Sequence, residues 1–118
     1  MKEMNDQGKT WSAPAQITKD MEHPGDLIQL RDGRILLTYG ERNPPRGTRA
    51  ILSADGRSWD NSKPIVLADD APVVDCGYPS SVEVAPGRIV TLYYQVDDPK
   101  NALATSSSRA VLWTVPKK

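Results

Sequence analysis

Apolar positions along this chain fall in short runs that alternate with polar ones or are rich in β-branched residues, without the spacing of a long amphipathic helix. The pattern predicts strands at Ala15–Thr18, Asp26–Leu30, Arg34–Gly40, Arg49–Ser53, Pro64–Leu67, Ser80–Val84, Arg88–Gln95 and Arg109–Val115. Arg31-Asp32-Gly33, Ala54-Asp55-Gly56 and Ala85-Pro86-Gly87 supply turn chemistry between them. Ten prolines spread along the sequence argue further against long helices, so the expected class is all-β.

An internal repeat organises these strands. DLIQLRDGRILLTY, Asp26 to Tyr39, aligns without a gap on SSVEVAPGRIVTLY, Ser80 to Tyr93, at an offset of 54 residues. Arg49-Ala50-Ile51-Leu52 recurs as Arg109-Ala110-Val111-Leu112. A period near 50 residues with about four strands per unit is the spacing of a propeller blade.

Two turns repeat as well: NDQGKTW, Asn5 to Trp11, and SADGRSW, Ser53 to Trp59. In each, the Asp carboxylate can accept backbone N–H bonds across the turn, Gly permits a positive φ, and Trp offers an apolar plug. These turns resemble the Asp-box, or BNR repeat, of the sialidase (neuraminidase) superfamily, usually written Ser-x-Asp-x-Gly-x-Thr-Trp. Met4 stands where the first copy should have Ser, and the second copy is one residue short between Asp55 and Gly56.

The resemblance implies a partial six-bladed β-propeller. Its expected form is two four-stranded antiparallel blades corresponding to the C-terminal two: residues 12–23 as an outer strand of a preceding blade, 24–70 as one full blade, and 71–118 as three strands of the last. It also implies an exo-glycosidase acting on terminal sialic acid or a related acidic sugar. In that chemistry a carboxylate nucleophile would be repelled by the substrate's own carboxylate, so a tyrosine activated by a glutamate replaces it, and arginines grip the substrate.

Arg49 precedes the second turn and Gly77-Tyr78-Pro79 follows it, so the resemblance makes Arg49 a carboxylate-binding residue and Tyr78 the nucleophile. Pro79 departs from the Ser common after that tyrosine and fixes φ where the strand starts. Glu41 and Arg42, in the proline-stiffened stretch Tyr39 to Gly47 with Arg46, are expected to border the sugar. The remaining family residues belong to blades outside this sequence, so the chain alone is expected to be inactive. The alternative expectation is a non-catalytic carbohydrate-binding or structural module.

Charge and composition narrow the partners. Fifteen basic residues balance fifteen acidic ones, which points away from nucleic acid and anionic membrane and towards neutral ligands or local charge; the acidic sugar or glycan is what the resemblance implies. Cys76 is the only cysteine and His23 the only histidine, so neither a disulfide nor a structural zinc is expected, nor any cofactor. Cys76 reads as a small buried residue, His23 as a hydrogen-bonded loop residue, and Asp97-Asp98-Pro99 as a turn. No apolar run is long enough for a membrane helix and the first residues lack a signal-peptide core, so the chain as written is expected in the cytoplasm. Exposed blade faces predict a homo-oligomer, either a trimer completing six blades or a dimer hiding those faces.

Overall fold

A computed structural model describes residues 6–118. Four strands, β1 (Glu22–Gln29), β2 (Ile35–Glu41), β3 (Gly47–Ser53) and β4 (Ile65–Ala68), form one antiparallel sheet in that order. Three more, β5 (Cys76–Ala85), β6 (Arg88–Val96) and β7 (Ser106–Thr114), form a second. Between β6 and β7 lie a 3-10 turn, Pro99–Asn101, and a single helical turn, α1 (Ala102–Thr105).

The two sheets pack face to face because alternation gives each an apolar inner surface. Leu36 and Ala50 of the first sheet, with Leu30, meet Ile89 and Val115, and Ile28, Leu52, Ile65, Leu67 and Trp113 surround them. A hydroxyl row crosses this core: Thr38 Oγ1 lies 3.3 Å from Ser81 Oγ, which lies 2.9 Å from Thr91 Oγ1, and Trp113 Nε1 donates to Thr91 Oγ1 at 2.9 Å. Carboxylates stitch the layers together. Asp26 accepts from Ser81 N at 3.1 Å, while Glu83 accepts from Arg31 N at 2.7 Å and Gly87 N at 2.9 Å, one turn from each sheet.

The repeated turns take the form their residues call for. Asp55 Oδ1 accepts from Arg57 N and Ser58 N, each at 2.8 Å, and Gly56 has φ +76°. Trp59 packs on Leu37, Tyr39 and Ile51 and donates Nε1 to Gly56 O at 3.1 Å. In the first copy Asp6 accepts from Thr10 N at 2.9 Å, but Trp11 is 56% exposed and plugs nothing. Met4 and Asn5, which open that copy, lie outside the described residues.

Several expectations need correction. Residues 15–18 form no strand with any of the described residues, and Thr18 sits at a bend. The second sheet has three strands, the number expected for residues 71–118 and one fewer than a four-stranded blade, and the two sheets stand as an open pair. His23 belongs to β1 and is exposed, because the strand begins at Glu22, earlier than the apolar pattern indicates. Asp98 caps the 3-10 turn by accepting from Lys100 N at 3.0 Å. Among the described residues no helix is long and apolar enough to cross a membrane.

Candidate functional site

Two glycines set the geometry of the most distinctive surface. Where β2 crosses β5, a Cβ on Gly77 would lie 2.6 Å from Gly40 Cα, a separation that only glycine permits. The β5–β6 ladder then loses register between Gly77 and Ser80, so Tyr78 and Pro79 bulge out of the sheet. Tyr78 has φ +47°, which residues with a side chain seldom adopt. The bulge aims its ring outward, where it is 59% exposed.

The Tyr78 ring sits 5.5 Å from the Tyr94 ring at a 50° tilt, and Arg42 Cζ stands 5.7 Å from the Tyr78 centroid. A guanidinium so placed is attracted by the negative face of the ring. Tyr94 donates its hydroxyl to Asp75. Beside the rings is an open hollow of about 300 Å³, lined also by Ser80, Leu92, Ser108 and Arg109. Arg109 is engaged by Asp70 at 3.4 Å and Asp97 at 3.5 Å. Arg42 differs: its Nε is buried without an acceptor, and among the described residues its guanidinium makes no hydrogen bond or ion pair. Its backbone is nevertheless fixed, since Arg42 N donates to Met21 O at 2.9 Å.

Arg49 is not at this hollow. Alternation turns it to the outer face of the first sheet, opposite Tyr39 and Val66 in the ladder, and it is 5% exposed. Its guanidinium donates to Thr48 O at 3.3 Å and to the carbonyls of Ala68 and Pro45, so it ties the 42–46 loop to the end of β4. Arg49 therefore does not line the hollow beside Tyr78.

Glu41 is buried and holds the start of the same loop, accepting from Asn43 N at 2.9 Å and Asn43 Nδ2 at 3.0 Å. Its ladder partner is Glu22. Burial, and then the contact with Glu41, push the Glu22 carboxyl above its ordinary value. Burial likewise raises the Tyr39 hydroxyl, which has no hydrogen-bond partner, with Glu22 and Glu41 adding to the effect. Cys76 is buried and its thiol is pushed up by that burial. Among the described residues no group of three metal-ligating side chains occurs.

Sequence reasoning reached Tyr78 and Arg42 but missed Tyr94 and Arg109. Tyr94 pairs with Gly77 across the ladder, so the strand repeat already places it next to the bulge.

No known family profile matches the chain, and no curated protein matches it. It is similar to a crystal structure of a protein of unknown function from Dyadobacter fermentans, with 29% identity and a TM-score of 0.79 over 97% of this chain. The chain spans 30% of the length of that protein's chain. These findings, with the open pair of sheets, overturn the sialidase assignment: Asp-box-like turns and a strand repeat specify how strands are joined, not which chemistry they carry.

Proposed function

We propose that this chain is a non-catalytic carbohydrate-binding module, its two sheets acting as blade-like units, that recognises an acidic glycan at the Tyr78–Tyr94 surface. The observation that carries this reading is Arg42: a fixed cation over an exposed aromatic ring, with no acceptor for its guanidinium among the described residues. A sugar ring presents C–H groups of slight positive charge to the ring faces, while a carboxylate or sulfate on that sugar gives Arg42 its acceptor.

Titration calorimetry with a uronate oligosaccharide and a neutral one of equal length tests this. The charged ligand should bind more tightly. Arg42→Ala should remove that preference at a cost of about tenfold or more in affinity, as expected for a charge-assisted hydrogen bond. Tyr78→Ala should weaken both ligands. Absence of binding to either sugar, or full binding by Tyr78→Ala, would refute the proposal.

A further inference from the structure

The hairpin joining β2 to β3 sets two arginines against each other. Its last ladder pair is Glu41↔Gly47, and continuing that register places Arg42 across from Arg46. Directly opposed positions of an antiparallel pair hold their Cβ atoms about 4.5–5.5 Å apart, and like charges there are destabilising. Cys76 lies against the same end of the hairpin, its Sγ 3.8 Å from Glu41 O and 4.0 Å from Gly47 O, and both guanidiniums oppose the upward shift of its thiol. The two side chains thus converge on the 72–78 segment: Arg42 stands over the Tyr78 ring, and Arg46 Nη1 donates to Pro72 O at a long 3.4 Å.

Neither charge is neutralised. Nε of each is buried without an acceptor, and neither arginine belongs to an ion pair among the described residues. Two acids beside them are committed elsewhere, Glu41 to Asn43 and Asp75 to the Tyr94 hydroxyl. Nor is the backbone free to carry the cations apart. Arg42 N donates to Met21 O at 2.9 Å, Arg46 O accepts from Ala71 N at 3.0 Å, and the Arg49 guanidinium holds Pro45 O. Both residues are only half-buried, so neither is sealed from solvent. An anion entering between them gains two charged partners that the fold has already brought together.

We infer that Arg42 and Arg46 form a clamp for an oxyanion, filled by a sulfate ester carried on the glycan beside its uronate. This rests on the glycan-binding reading above and goes further by naming a doubly acidic ligand. One carboxylate matches the fork of one guanidinium, whereas two facing forks match two acidic groups. Arg109, the other cation at the hollow, is already held by Asp70 and Asp97 and offers no such match.

Titration calorimetry should compare a uronate oligosaccharide with the same one bearing a sulfate ester. The sulfated ligand should bind the parent about tenfold more tightly, as an added charge-assisted hydrogen bond provides. Arg46→Gln should remove that gain while leaving the plain uronate within about twofold of its parent affinity. Arg46→Lys, which keeps the charge without the fork, should retain part of the gain. Melting temperature gives a readout without sugar: replacing sodium chloride by sodium sulfate at equal ionic strength should raise it more in the parent than in Arg46→Gln, since the general salting effect is common to both. Equal responses of parent and Arg46→Gln to the sulfate group would overturn the inference. Uronate binding with no gain from sulfation would refute the clamp and leave the glycan reading standing. A sulfate-specific rise in the parent with no sugar bound would support the clamp and refute the glycan reading.

Discussion

Replacing Gly77 by alanine tests whether the crossing of β2 and β5 is a steric device. Two costs are separable there. Gly77 has φ +102°, and its new Cβ would stand 2.6 Å from Gly40 Cα, with backbone on both sides and no flexible side chain to yield. The left-handed conformation costs about 1–2 kcal/mol for alanine. Overpacking of a tight contact costs a further ~1–3 kcal/mol. Gly33 supplies the control, because it has φ +94° with nothing within 4 Å of a Cβ. Gly33→Ala therefore carries the backbone cost alone. Urea unfolding followed by tryptophan fluorescence should show Gly77→Ala less stable than Gly33→Ala by about 1–3 kcal/mol, a midpoint difference near 1 M for a typical m-value. Because the same crossing brings Arg42 over Tyr78, Gly77→Ala should also weaken glycan binding while Gly33→Ala leaves it intact. Equal destabilisation by the two variants would refute the steric argument.

Other outcomes follow from the turns and the buried acids. N–H groups of Ser58 and then Arg57 hold the Asp55 carboxyl at about 2, below its ordinary 3.8, so its contribution is complete above 3.8 and is lost as pH falls through about 2. Asp55→Ala should therefore be destabilised at neutral pH, with the gap to the parent closing in strong acid, read by thermal melts across pH. Glu22 behaves oppositely: its raised folded-state value means stability is greatest below 4.5 and declines as pH rises through the raised value. Glu22→Gln should be at least as stable as the parent at neutral pH and should vary less with pH above 4.5. Trp59→Ala should cost about 2–4 kcal/mol in urea unfolding. Trp11→Ala should stay within ~0.5 kcal/mol, since Trp11 is mostly exposed.

The strands were legible because they repeat. Aligning Asp26 with Ser80 and Arg49 with Arg109 identifies β1, β2 and β3 with β5, β6 and β7, and Gly33 and Gly87 mark the two tight turns. Residues 15–18 show where such reading ends: strand composition is local, whereas a strand exists only when a second strand pairs along it. The site was half legible for a similar reason. Tyr78 and Arg42 are recognisable as a reactive type and a cation, but whether an arginine is free depends on carbonyls distant in sequence. Arg49 is engaged by Ala68, nineteen residues away. Arg42 has the same side chain and is left open.

That difference between two arginines supports a binding role more strongly than the presence of either. Arg49 has both terminal nitrogens engaged by backbone carbonyls, and Arg46, whose Nε is buried without a partner like that of Arg42, still donates to Pro72 O at 3.4 Å; a buried unpaired donor costs about 1–3 kcal/mol. Arg42 carries such a donor although its backbone is fixed through Met21 and its loop is held by Glu41 and by Asn43, which donates to Asp20 O at 2.9 Å. The loop thus holds the cation in place before a ligand arrives, which lowers the ordering cost of binding. A ligand that supplies the missing acceptor stabilises the folded chain by linkage, by ~2.7 kcal/mol when present at a hundred times its Kd. The melting temperature should accordingly rise with an acidic glycan in the parent and not in Arg42→Ala. A rise of equal size in both would mean that the charge is recognised elsewhere and that Arg42 only covers the Tyr78 ring.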